Sequence, residues 1–95
     1  MIGKIQTHLH QRRDKKQRHK RAGDAALHAS RERYPDDETI WEPRVLEDQD
    51  GIVVGLFYRG TIKPPLRRFW SIDSDGAREA DGSAVAERFD LGPYR

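Results

Sequence analysis

The feature that most constrains the fold is a change of hydrophobic period on either side of Pro35. Before it, four alanines follow the i, i+3, i+4, i+7 spacing of one helical face. These are Ala22, Ala25, Ala26 and Ala29. After it, apolar and polar residues alternate from Trp41 onward, which is the period of a strand. Because the residue before a proline is pushed out of the α region, the pattern predicts a helix over residues 24–34, followed by a sheet.

Three segments beyond this helix are predicted to form consecutive antiparallel strands. They are residues 41–47, 52–59 and 66–72. The first contains Pro43, and proline cannot donate to an interior ladder, so this strand is predicted to lie at an edge. The second is β-branched or aromatic on both faces, which is typical of a central strand. Asp-x-Asp-Gly sequences ending at Gly51 and Gly76 predict the turns.

The C-terminal quarter has weaker signals. Residues 77–80 either form a short fourth strand or trail away, and residues 84–89 have the composition of a one- or two-turn helix. Ser83 is the expected N-cap of that helix, since a serine oxygen can accept an unsatisfied backbone N–H. The fold class is therefore α+β, with one or more N-terminal helices packed on a three- to four-stranded antiparallel meander.

Length and composition limit the chain to one thin core. Of its 95 residues, 35% are hydrophobic and 36% are charged, so the apolar side chains are concentrated, mostly between Trp41 and Ile72. The absence of cysteine excludes a disulfide framework and leaves hydrophobic burial as the main stabilising contribution. No apolar run approaches the roughly 20 residues of a membrane helix, and no signal peptide is recognisable. We expect a cytoplasmic protein without a membrane partner.

The charge is divided unevenly along the chain. Residues 1–22 carry eight basic side chains and one acid, a net charge of +7, whereas residues 23–95 have a net charge of −5. From His10 to Arg21 there is no apolar residue that would anchor a helix. The sequence therefore predicts a basic arm over residues 1–22, as a frayed helix or disordered, and a single domain over residues 23–95.

The basic arm is the first candidate binding site, for nucleic acid or another anionic partner. Its cations are Arg12, Arg13, Lys15, Lys16, Arg18, Lys20 and Arg21. Such a density of cations would release counterions from a phosphate backbone, although no nucleic-acid-binding motif accompanies it. The alternatives are a solvated extension, or an arm that folds back on the seven acids between Asp36 and Asp50.

The sheet supplies the second candidate site. If Trp70 and Ile72 face the helix, the opposite face carries four aromatic and basic residues. These are Phe57, Arg59, Arg67 and Phe69. Such a face is suited to binding a partner protein or to stacking on bases. The alternative is that this face is covered by the arm or by another copy of the chain, which would be a homodimer through the sheet.

Motifs for catalysis or metal binding are missing. His8 and His10 would lie about 200° apart on a helix and so would not converge on one ion. The Asp-x-Asp-Gly sequence at Asp73 lacks the glutamate of a calcium loop, since Ala84 holds loop position 12. No serine has a histidine or acid at motif spacing, and no phosphate loop occurs. We therefore predict a protein without enzymatic activity, metal or cofactor.

One resemblance covers a little over half of the chain. From Asp24 to Gly76 a helix is followed by IWEPRVLEDQDGIVVGLFYRG and PPLRRFWSIDSDG. This resembles the helix-plus-meander of small bacterial cystatin-like and nuclear-transport-factor-like domains, including toxin-immunity proteins. Because members of that group include binding modules, inhibitors and enzymes with deep pockets, the resemblance implies a fold more than an activity. The short chain and its basic arm depart from the group and disfavour a small-molecule enzyme.

These observations predict a small non-enzymatic protein-interaction module whose partner the sequence does not identify. The alternative is a nucleic-acid-associated accessory protein that binds the phosphate backbone through the basic arm.

Overall fold

The computed structural model describes the backbone of residues 2–58 and 66–92, and the side chains of residues 14–58 and 68–92. In chain order its elements are α1 (Ile2–Arg33), β1 (Trp41–Asp48), β2 (Gly51–Tyr58), β3 (Leu66–Asp73), β4 (Gly76–Ala80) and α2 (Gly82–Arg88). The strands pair antiparallel in the order β1-β2-β3-β4. The predicted α+β fold is confirmed, with β1 at an edge, β2 inside the sheet and four strands rather than three.

Both predicted hairpin turns form, and they are built alike. In each, the first aspartate accepts a backbone N–H two residues ahead, at 2.9 Å from Asp50 and 2.8 Å from Asp75. Gly51 and Gly76 follow with φ of 135° and 125°, in the region that favours glycine. The repeated Asp-x-Asp-Gly sequence therefore encodes the same local geometry twice.

Helix α1 is longer than the sequence predicts. It begins at Ile2 instead of residue 24 and continues through Gly23. Gly23 is buried where α1 crosses β1, and a Cβ there would lie 3.2 Å from Pro43 Cγ. The glycine therefore serves close packing and not helix termination. The division into an arm of residues 1–22 and a domain of residues 23–95 stays a prediction.

Helix α2 begins at Gly82, and its N-cap is Asp81 and not the predicted Ser83. Asp81 has an extended backbone, with φ −71° and ψ 121°, and its carboxylate accepts the N–H of Ser83 at 3.1 Å. The prediction of Ser83 as N-cap is wrong because the aspartate two residues earlier already supplies a capping oxygen.

The two helices cover opposite faces of the sheet, so the chain has three layers. The core under α1 consists of Ala22, Ala26, Val54, Leu56 and Trp70. The core under α2 consists of Val53, Phe69 and Val85. Neighbouring residues of β2 therefore enter different cores, as strand alternation requires. Each fully buried side chain of the size of Val54 or Leu56 stabilises the fold by about 1.5–3 kcal/mol.

Two adjacent acids at the end of β1 each bind one of the helices. Glu47 receives Arg18 Nη2 at 3.0 Å and His19 Nε2 at 2.9 Å from α1. Asp48 points to the other face, where Arg88 Nε of α2 donates to it at 2.7 Å. Hydrogen bonds from Arg18 and then His19 lower the pKa of Glu47, and Arg88 lowers that of Asp48 to about 2. The end of β1 thus connects all three layers.

Candidate protein-binding surface

The largest exposed apolar side chains in the described part of the chain lie at the start of β1 and the end of β2. Ile40 is 69% exposed and Tyr58 is 41% exposed. Trp41, which is partly buried, pairs directly with Tyr58 across the two strands, and their ring centroids are 4.9 Å apart. We call Ile40, Trp41 and Tyr58 the aromatic corner.

A hydrogen-bond network fixes Trp41, one of the three residues of the aromatic corner. Trp41 Nε1 donates to Asp37 Oδ2 at 3.0 Å, and the Thr39 N–H donates to Asp37 Oδ1 at 3.0 Å. Arg68 Nη1 reaches Asp37 at 3.3 Å and Ser30 Oγ at 2.6 Å. Ser30 belongs to α1 and is 3% exposed, so the network connects the surface of β1 to the buried face of the helix.

The Asp37 carboxyl of this network stays ionised over the physiological range. Hydrogen bonds from Thr39, then Trp41 and Arg68, hold the pKa of Asp37 well below its usual range. Arg68 also lies over two aromatic rings, with its guanidinium carbon 3.8 Å from the centroid of Tyr34 and 5.1 Å from that of Trp41. Trp41 is therefore held at its indole nitrogen by a carboxylate and at its ring by a cation.

Beside the aromatic corner lies a cleft of about 420 Å³ between the end of α1 and the start of β1. Its lining consists of Leu27, Ser30, Arg31, Pro35, Asp37, Glu38, Thr39, Ile40 and Trp41. Apolar side chains thus share the cleft with polar groups and with charges of both signs, and its volume lies in the range of ordinary binding pockets. The corner and the cleft form one continuous surface because Ile40 and Trp41 belong to both.

The basic segment of α1, residues 14–21, contains cations that pair within the chain and cations that are exposed. Arg18 is paired with Glu47, which confirms one contact between the basic segment and the acidic residues 36–50. Four other predicted cations are exposed on the helix surface: Lys15, Lys16, Lys20 and Arg21. The side chains of Arg12 and Arg13 lie outside the described residues.

A second groove, of about 560 Å³, runs along this part of α1 at the end of the sheet. Its lining includes the apolar residues Ala25, Ile52 and Ile72 and the charged residues Arg21 and Asp73, and it contains no aromatic residue.

The predicted sheet-face site is only partly accessible. Phe57 and Phe69 lie on the face opposite α1 as predicted, but Phe69 is 2% exposed and packs with Val85 of α2. At Phe69, α2 occupies the position predicted for the arm or for a second copy of the chain. Arg59 and the side chain of Arg67 lie outside the described residues, and homodimerisation through the rest of the sheet stays a prediction.

Sequence reasoning missed the aromatic corner, although a signal for it was present. Trp41 lies seven residues before the end of β1, and Tyr58 lies seven residues after the start of β2. Residues equally distant from a tight turn face each other in a hairpin, so the ring pair follows from the two turn positions. The contact of Asp37 with Arg68 spans 31 residues and has no such local signal.

Within the described residues, no group of three or more histidine or acidic side chains could hold a metal ion. Among the helices of that same part, none is long and apolar enough to cross a membrane.

No protein-family model matches the chain, and searches of the curated proteins and of the solved structures also find no match. The resemblance to cystatin-like and nuclear-transport-factor-like domains stays a prediction from the residues that carry it.

Proposed function

We propose that this protein is a non-enzymatic protein-interaction module and that the aromatic corner with its cleft is the docking surface. The observation that carries the proposal is the exposure of Ile40 beside a Trp41–Tyr58 ring pair. Aromatic residues are enriched at the centres of protein interfaces, where they fill pockets of the partner. We also propose that the protein is cytoplasmic, on the sequence observations alone.

The energy of binding would come from burial and from preorganisation. Covering the exposed part of Ile40 contributes about 1–2 kcal/mol. Trp41 is already held by Asp37 and Arg68, so little side-chain freedom is lost when a partner binds it. A rigid aromatic platform next to a cleft is suited to a protein side chain entering from outside.

The proposal is tested by capture of partners from cells that produce the protein, with Ile40→Asp as the disrupting variant. A partner retained by the unmodified protein should be purified, and its Kd for Ile40→Asp should rise at least tenfold. Ala84→Asp is the matched control, since Ala84 is exposed on α2 and the substitution adds the same charge. Equal affinity of both variants for every captured protein would contradict the proposal.

The second candidate function is nucleic-acid association through α1. It is favoured by the exposure of Lys15, Lys16, Lys20 and Arg21 on one continuous helix. Each cation that neutralises a phosphate releases a counterion, so binding would weaken steeply with salt. The pairing of Arg18 and His19 with Glu47 reduces the number of groups that remain for this role.

A salt titration with a generic duplex separates the two functions. If α1 binds phosphates, replacing these four cations with glutamine weakens the complex by about 1 kcal/mol or more and flattens its salt dependence. Absence of duplex binding by the unmodified protein at low salt would remove this candidate and leave protein interaction.

A further inference from the structure

The backbone of Tyr34 joins the two groups that bind Arg68. Tyr34 is partly buried and is the first residue after α1. Its N–H donates to the Ser30 carbonyl at 2.9 Å, and its own carbonyl accepts the N–H of Asp37 at 3.1 Å. The backbone around Tyr34 therefore places the side chains of Ser30 and Asp37, and Arg68 Nη1 binds both of them.

The side chain of Tyr34 has a separate set of contacts. Its hydroxyl donates to the carboxylate of Glu79, whose two oxygens both lie at 2.8 Å. Glu79 belongs to β4, the edge strand on the side of the sheet opposite β1. The hydrogen bond to Glu79, and then burial, raise the pKa of Tyr34, so the hydroxyl keeps its proton at neutral pH. The Tyr34 ring is thus fixed at its hydroxyl by the far side of the sheet.

The guanidinium of Arg68 rests on two rings. Its central carbon is 3.8 Å from the centroid of Tyr34 and 5.1 Å from that of Trp41, so Tyr34 is the closer stacking partner. The other charged neighbours are Asp37, which binds Arg68, and Arg33, whose guanidinium carbon lies 5.3 Å from the Tyr34 ring. Without the Tyr34 ring, Arg68 would keep the hydrogen bonds of Nη1 but lose its nearest stacking surface.

We propose that Tyr34 is a positioning residue of the docking surface, which fixes the Trp41 ring by fixing the guanidinium of Arg68. Glu79 holds Tyr34 in the orientation that this requires. The inference rests on the proposed interaction function and names the residue that keeps the aromatic platform rigid. Tyr34 is neither part of the aromatic corner nor among the residues that line the cleft, so it acts on a partner through Arg68 and Trp41. A platform that is already ordered loses less freedom when a partner binds.

The test follows the indole N–H of Trp41 in the full chain by hydrogen exchange, measured by NMR. This N–H donates to Asp37, so its exchange rate reports how firmly the ring is held. The chain has one other indole, that of Trp70, which is buried in the core under α1. Its N–H is the internal reference for opening of the fold. Trp41→Phe identifies the two signals, since it removes one of them.

Two substitutions at Tyr34 grade the loss of positioning. Tyr34→Leu removes the ring and should speed exchange of the Trp41 indole by about tenfold or more, because the stacking contact of the cation is lost. The Trp70 indole should change by less than about twofold, since it is not part of this network. Tyr34→Phe keeps the ring and removes only the bond to Glu79, so the Trp41 indole should exchange about threefold faster.

Phe89→Leu is the matched control on the other face of the sheet. The Phe89 ring also carries an arginine, with the guanidinium carbon of Arg88 4.9 Å from its centroid, and it packs on the core under α2. Loss of that ring should leave exchange of the Trp41 indole within about twofold of the unmodified protein.

A double substitution separates positioning from general packing. Arg68→Lys keeps the charge but removes the planar group that stacks on the rings. In the Arg68→Lys background, Tyr34→Phe should no longer change exchange of the Trp41 indole, because Tyr34 acts through the guanidinium.

Three outcomes would overturn the inference. The first is unchanged exchange of the Trp41 indole in Tyr34→Leu, or in Tyr34→Phe if the leucine variant does not fold. The second is an acceleration that Trp70 or Phe89→Leu shares, which would assign Tyr34 to general packing. The third is an effect of Tyr34→Phe that persists in the Arg68→Lys background.

The proposed function is judged separately, by the captured partner. Equal affinity of that partner for Ile40→Asp and Ala84→Asp would contradict docking at the aromatic corner. The exchange of the Trp41 indole in the free protein does not depend on that result.

Discussion

Helix α1 is continuous, but its two parts lie in different environments. We call residues 2–21 its first half and residues 22–33 its second half. Residues 22–33 lie against the sheet, with Ala22, Ala26 and Ser30 buried. In residues 14–21 only His19 is partly buried, and the other side chains are exposed. The first half carries most of the positive charge of the helix and the second half carries the packing. A continuous helix therefore does not imply a continuous interface, because each half is stabilised by different interactions.

The strongest test of this difference places a charge on each half. Ala26→Asp puts a carboxylate at a position with 0% exposure, and we expect a loss of roughly 3–5 kcal/mol in the free energy of unfolding. Gln17→Asp is the matched control on the exposed half and should change it by less than about 0.5 kcal/mol. Urea denaturation measures both. Similar losses in the two variants would show that the first half is also packed.

A milder change removes one hydroxyl from the packed half. Ser30→Ala deletes the oxygen that accepts from Arg68, and the expected loss is about 1–3 kcal/mol, because the bond involves a charged donor in a half-buried place. The Trp41 ring, which depends on the same network, should gain mobility, measurable by tryptophan fluorescence anisotropy. A loss below about 0.5 kcal/mol would mean that water replaces the hydroxyl without cost.

Removing residues 1–20 should leave a cooperatively folding protein. The truncation removes Arg18 and His19 from Glu47 but keeps Ala22 and Ala26, so thermal melting should show a decrease smaller than that of Ser30→Ala. A truncation that keeps Arg18 and His19, from residue 14 onward, is the control and should melt like the full chain. Loss of the cooperative transition after the longer truncation would place the basic segment in the folding unit.

The contact of Arg18 and His19, in the first half of α1, with Glu47 of β1 should depend on pH. Because the pKa of Glu47 is lowered in the folded state, its contribution is present above the ordinary glutamate pKa of about 4.3 and is lost as pH falls through the lowered value. The stability difference between the unmodified protein and Glu47→Gln should therefore shrink as pH falls below 4. Asp48→Asn should behave alike at α2, with the loss ending near pH 2.

The smallest effect is expected from the exposed cations. Lys16→Gln combined with Lys20→Gln should change the free energy of unfolding by less than about 0.5 kcal/mol, since both side chains are exposed one helical turn apart. Removing their repulsion can even raise stability slightly at low salt. A marked loss of stability would show that these lysines bind the acidic part of the chain.

Much of the fold was accessible from the sequence. The period-two segments, Pro43 and the two turn glycines predicted the strands to within one residue at each end of β1 and β2. These signals are local, since alternation and turn geometry act between residues that are close in sequence. The length of α1 was underestimated because its first half has no apolar face, although nothing in those residues breaks a helix.

The candidate site was less accessible. Phe69 has the same sequence signature as an exposed strand residue, and only the return of α2 across the sheet buries it. Trp41 was recognised as the start of a strand, but its fixed orientation depends on Arg68, which lies 27 residues further along the chain. Contacts over such separations are decided by the packing of whole elements.

The sequence by itself determined the meander, its edge strand and its turns, because these follow from periodicity and from the backbone limits of proline and glycine. The tertiary structure decided the role of each charge. Arg18 and Lys16 differ little in sequence context, yet one is bound to Glu47 and the other is exposed. The reason is geometric: one side of α1 faces the end of β1, and Arg18 and His19 lie on that side.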